Sequence, residues 1–196
     1  MPKQLLIGYE ITPWSNDSWM TGSCDKLFPE LEDIPKCLVC GYRTDFRYTN
    51  PHFKLRKKSL DYSGTYDGVT IVSNKFKVCC ENLWYSNLVF VPLQKAPGFF
   101  QFYITDSFIT YSAHRKEKLC HNCGQYESII GPTIDLHHIS EPLEDGFYQS
   151  DLWFASGNEK HPIYLVAPET MTKLKAAGLK GLTTAYSVKR QVNKLR

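Results

Sequence analysis

The sequence predicts an α+β protein whose mixed sheet is assembled from strand–helix–strand units. Three observations predict it. An apolar strand, an amphipathic helix and a second apolar strand follow one another at residues 69–92. The same grammar recurs at 162–188, and Cys-x-x-Cys-Gly occurs twice, at 37–41 and 120–124. A chain of 196 residues that is 42% hydrophobic and 14% aromatic, with no low-complexity run, has the composition of one globular unit. The expected organisation is a single domain over 1–196. It has a part bounded by the two cysteine motifs (35–125), a C-terminal strand–helix–strand part (126–188) and a basic tail (189–196).

Taken in order, residues up to about 35 mix Tyr9, Trp14, Trp19 and Phe28 with the acidic "DKLFPELED", the pattern of a segment that wraps a body rather than folding alone. The alternating "YRTDFRYTN" after the first cysteine motif predicts a strand. The basic "HFKLRKK" reads as a solvated face. Asp67-Gly68 marks a turn into a strand at Val69–Val72, and Ser73 stands where a side-chain oxygen caps a helix. Phe76, Cys79, Cys80 and Leu83 follow helical spacing, and Leu88–Val91 is an apolar strand closed by Pro92.

"GFFQFYIT" and "SFITYSA" read as strands joined in a hairpin at Asp106-Ser107. After the second cysteine motif come "YESIIG" and a polar, irregular stretch from Pro132 to Gly146. Ile163–Val166 is the next strand. Pro168 suits a first helical turn, Met171, Leu174 and Ala177 form an apolar stripe, and Gly178 suits the stop. Val72 and Val166, and Leu88 and Leu182, both stand 94 residues apart, a weak internal repeat. The tail "KRQVNKLR" reads as a frayed or solvated helix end.

Seven cysteines in a chain without a secretory h-region or a bilayer-length apolar run point away from a disulfide framework, towards metal binding or catalysis in a soluble, cytoplasmic protein. A Cys-x-x-Cys turn converges two thiolates on one ion, and glycine after the second cysteine supplies the backbone freedom that the turn requires. Two such turns supply four thiolates. Redox chemistry needs one Cys-x-x-Cys at a helix start, and iron–sulfur clusters use other typical spacings. Structural Zn²⁺ on Cys37, Cys40, Cys120 and Cys123 is the reading the pattern favours, so the expected α+β fold is stapled by a four-cysteine zinc site made of two CxxCG knuckles. Four thiolates leave no open coordination position for catalysis. His121, His137 and His138 read as ordinary polar histidines, Cys79 and Cys80 as helix residues with at least one facing the core, and Cys24 has no assignment.

No Walker, Gly-x-Ser-x-Gly or His-Glu-x-x-His pattern occurs, and the polar "SGNEKHP" at 156–162 reads as turn chemistry ahead of a strand. The expectation is a non-enzyme. The paired motifs, "DYSGTYDGVTIVSNKF" between them and "YQSDLWFASGNEKHPIYLVAPETMTKLKAAGLKGL" after them resemble the double-CXXCG motif family of bacterial proteins, over about residues 35–188. That family is associated with immunity proteins of polymorphic toxin systems. The resemblance implies an antidote that binds and neutralises a cognate toxin protein by stoichiometric contact, with Cys37, Cys40, Cys120 and Cys123 as the carried-over residues. The alternative is a zinc-ribbon-like nucleic-acid-binding or regulatory protein using the basic stretch at 54–58 and the tail. The formal charge of only +3 and the interspersed acids make nucleic acid an unlikely partner, and no membrane partner is expected.

Overall fold

Ser73 caps the first helix as its position predicts: its hydroxyl accepts a hydrogen bond from the Phe76 amide at 3.2 Å. The helix α1 (Asn74–Asn82) buries Phe76 and Cys80 and leaves Cys79 half-buried at the edge of the same cluster. The computed structural model describes residues 3–182 and 185–192. Strands β1 (Lys3–Ile11), β2 (Trp14–Ser15), β3 (Tyr62–Gly64) and β4 (Thr70–Ser73) precede α1. After it come β5 (Leu88–Pro92), β6 (Phe99–Ile104), β7 (Phe108–Ile109), β8 (Tyr111–Leu119), β9 (Tyr126–Ile134), β10 (Phe147–Ser156) and β11 (His161–Val166). The second helix α2 (Pro168–Ala176) and β12 (Ala185–Val192) complete the order.

The strands form two sheets, β2-β3-β4-β6-β5 and β12-β1-β11-β10-β9-β8, with β7 pairing β10 beside the second path. Both strand–helix–strand units share one arrangement. β4 and β5 run antiparallel to β6, which lies between them, and β11 and β12 run antiparallel to β1 in the same way. The helices match residue for residue at the 94-residue offset. Leu83 and Ala177 cap them, donating to Cys79 O and Lys173 O, and Trp84 and Gly178 follow, both at φ +61°.

One core joins the halves. Tyr62, Val72, Phe76, Phe102 and Ile104 from the smaller sheet and its helix pack with Ile11, Phe147, Tyr164, Met171 and Leu174 from the larger. The aromatic contacts are close, with Phe76 to Phe102 at 5.5 Å and Phe102 to Tyr164 at 5.6 Å between centroids, mostly edge-to-face. Two further clusters lie outside this core: Met20, Phe53 and Leu55 pack over Ile71 of the smaller sheet, and Ile139 and Leu143 from the segment between β9 and β10 pack against Ile109, Tyr111, Phe154 and Leu165 of the larger.

Four expectations are corrected. "YRTDFRYTN" forms no strand beyond a Lys36–Arg43 bridge, because Asp45 accepts from the Arg47 amide in a local turn and Arg43 is drawn inside. The strands flanking Asp106-Ser107 do not pair as a hairpin: β6 belongs to the smaller sheet, whereas β7 and β8 belong to the larger, and Ser107 at φ +64° turns the chain between them. The N-terminal segment wraps only after residue 15, since β1 is an interior strand of the larger sheet. The tail up to Val192 is strand β12 rather than a helix end, and 193–196 lie outside the described residues.

Candidate metal centre

The two cysteine turns repeat each other bond for bond. The Cys37 amide donates to Tyr42 O at 2.9 Å and the Gly41 amide to Cys37 O at 2.9 Å. In the second turn, the Cys120 amide donates to Gln125 O and the Gly124 amide to Cys120 O, both at 2.8 Å. Gly41 and Gly124 sit at φ +77° and +71°, in the left-handed region that glycine enters without strain. The first turn hangs in the N-terminal wrap. The second is the tip of the long β8–β9 hairpin, which carries it across to the first.

The four thiols meet. Cys37 Sγ and Cys120 Sγ are 3.9 Å apart, Cys40 Sγ and Cys123 Sγ 3.8 Å, and all four sulfurs lie within 4.8 Å of one another. A tetrahedron with metal–sulfur bonds of about 2.3 Å has edges of about 3.8 Å, so the donor set fits a tetrahedral thiophilic cation. All seven cysteines are free of disulfides. The amides of Cys40 and Val39 and the Asn122 side chain, 3.3 Å from the sulfur, draw the Cys37 thiol down to about 6. Amides of Cys123 and Asn122 lower Cys120, whereas burial raises Cys40 and Cys123. The amides of the turns thus favour the charged form at Cys37 and Cys120.

A buried polar frame that the sequence did not reveal holds the turns in place. Asn158, almost wholly buried, accepts from the Arg43 amide at 2.9 Å, while its own backbone and side-chain amides donate to Cys24 O at 2.9 and 3.1 Å. Gln125 Nε2 donates to Arg43 O at 3.1 Å, tying the second turn to the first. Arg43 donates to Asp67 O at 2.9 Å and to Thr21, and the Asp67 carboxylate accepts from the amides of Met20 and Thr21 at 2.8 and 2.6 Å. The "SGNEKHP" segment is the expected turn, Gly157–Glu159, yet its Asn158 and Lys160 point inward. The only available signal was the Asp-Gly turn at 67–68. Asn158 and Lys160 carry no such signal within a polar turn segment.

The remaining candidates lie apart. His121 is exposed at the second turn's tip, and His137 and His138 are exposed in the loop after β9. Among the described residues the four cysteines are the only cluster of His, Cys, Asp or Glu close enough to share a metal ion, and no helix is long and apolar enough to cross a membrane. No protein-family model, curated protein or solved structure matches the chain.

Proposed function

We propose that this chain is an immunity protein that binds and neutralises a cognate bacterial toxin stoichiometrically, and that Cys37, Cys40, Cys120 and Cys123 hold a structural Zn²⁺ within it. The doubled Cys-x-x-Cys-Gly carries the reading, because the resemblance rests on it and its four sulfurs meet at tetrahedral spacing. Four thiolate ligands fill the coordination sphere, so the metal's role is to fasten the wrap to the hairpin. Occlusion of a toxin then falls to surface side chains. Trp84, 90% exposed just beyond α1, is the strongest anchor candidate, since tryptophan is enriched among residues that dominate interface energies. Leu38 and Val39, exposed at the tip of the first turn, offer a second apolar contact.

The test is co-expression with the toxin encoded beside this chain's own gene. Growth should be rescued, the two proteins should co-elute at a fixed ratio, and affinity should be nanomolar or tighter, about 12 kcal/mol. Rescue at strongly sub-stoichiometric levels with a chemically altered toxin would replace binding with an enzymatic antidote. A steeply salt-dependent affinity for DNA or RNA, with no toxin bound, would favour the nucleic-acid alternative.

A further inference from the structure

We infer that Lys160 is the counter-cation of the metal centre: its ammonium balances part of the negative charge that four thiolates leave on a divalent ion. The inference rests on the proposed metal site and concerns a residue that is not a ligand. Lys160 is 3% exposed. Its Nζ donates to Gln125 Oε1 at 3.1 Å and to Tyr126 O at 2.5 Å, both next to the second cysteine turn, and the residue shares a cavity wall with Cys123 and Gly124.

A buried ammonium needs an anion, because stripping it of water costs several kcal/mol unless opposite charge replaces the water. No carboxylate forms an ion pair with Lys160 among the described residues. The other buried cation, Arg43, has the buried Asp67 as its electrostatic partner. Burial works against the charge on Lys160, and the negative charge of the Cys40 and Cys123 thiolates is the main influence opposing it. The Tyr42 and Phe46 rings, 5.9 and 5.7 Å from Nζ, add cation–π attraction but no net charge.

A divalent ion with four thiolates is a dianion, and in a partly dry site that charge calls for compensation. Lys160 supplies it from the sequence segment that also supplies Asn158. The 156–162 turn is therefore the part of the fold that sets both the shape and the charge of the centre. Loss of the ammonium should loosen the metal and leave the thiolates more nucleophilic.

Three variants separate charge from hydrogen bonding. Lys160→Gln keeps a donor for Tyr126 O but removes the charge, Lys160→Met removes both, and Lys160→Arg keeps the charge. Zinc affinity is read by competition with a chromogenic chelator, and thiol reactivity by the rate of iodoacetamide alkylation of the zinc-loaded protein. Lys160→Gln and Lys160→Met should both weaken zinc by 10- to 100-fold, the usual range for groups that support metal ligands, and both should speed alkylation, with Lys160→Arg close to wild type. If Lys160→Gln retains wild-type zinc affinity, the role is hydrogen bonding and the inference is overturned. If the neutral variants do not fold, folding of zinc-loaded Lys160→Arg supports the charge role and its failure overturns it. Wild-type protein purified without stoichiometric metal removes the metal reading itself, an outcome distinct from metal-bearing wild type with unaltered Lys160→Gln.

Discussion

The two strand–helix–strand units are built on one backbone plan from unlike side chains. Helix α1 has a serine cap and α2 a proline first turn after Ala167, yet both span nine residues and release the chain through a left-handed residue at the same place. Asp61 accepts from the Ser73 hydroxyl at 2.6 Å near the start of α1, and Asp145 accepts from the Thr170 hydroxyl at 2.7 Å near the start of α2. Each carboxylate thus lies where the partial positive charge of a helix N-terminus favours it. In the first half the strand between the parallel pair is β6, which follows in the chain. In the second it is β1, taken from the N-terminus. The fold tolerates exchange of the strand's chain position and of the capping chemistry, but keeps the turn angles and the shared aromatic core.

The strongest way to break the pairing is to abolish the proposed metal site. Each half carries one cysteine turn, and the contacts between the turns span 83 residues of sequence. Cys40→Ser, or a strong chelator, should release the β8–β9 hairpin from the wrap and cost several kcal/mol. Apparent binding energies for structural zinc of roughly 10 kcal/mol set the upper scale. Thermal melting with and without chelator measures the effect, and an unchanged melting temperature would contradict a structural role.

Next in size is the core the halves share. Phe76→Ala should cost about 3–5 kcal/mol and Met171→Ala about 2–5 kcal/mol, since both side chains are fully enclosed. Both should lower the midpoint of one cooperative denaturant transition, because they belong to one cluster. Two separate transitions would mean that the halves unfold independently.

What could be read in advance follows the same division. The two helices were legible because cap, apolar spacing, proline and glycine are local signals, and the cysteine turns because their chemistry fixes their spacing. The central position of β1, the strand β12 and the partners of β6 depend on pairings between distant segments, which alternation of residue type does not encode. The alternation in "YRTDFRYTN" arises from one buried arginine, Arg43, and an Asp45 turn rather than from a strand. The frame of Asn158 and Lys160 was hidden for a related reason: a polar turn residue looks the same whether it faces water or a buried partner.

The comparison is sharpest at Trp84 and Gly178. A left-handed backbone costs a non-glycine residue about 1–2 kcal/mol, and the second half avoids that cost with glycine. Trp84→Gly should therefore stabilise the protein by about 1 kcal/mol, and Gly178→Ala should destabilise it by a similar amount, since only Lys75 Nζ lies near the added methyl. If Trp84 is the proposed anchor, the same Trp84→Gly change should weaken toxin binding by about 2 kcal/mol or more. A variant that is both less stable and fully active would remove Trp84 from the interface and leave its backbone conformation without an explanation.

The smallest effect concerns the carboxylate of the second half. Burial pushes Asp145 upward, but hydrogen bonds from Lys173 at 2.6 Å, Thr170 and Tyr85 outweigh it and hold the group below its ordinary value. A depressed carboxylate stabilises the fold above its unfolded pKa, near 4, and that contribution disappears as pH falls through the lower, folded value. Asp145→Asn should therefore flatten the stability–pH profile below about pH 4 and cost about 1 kcal/mol or less at neutral pH, in keeping with a partly exposed ion pair. Denaturant midpoints from pH 2 to 7 for wild type and variant make the measurement. Parallel profiles would show that Asp145 positions Thr170 and the start of α2 without contributing charge-dependent stability.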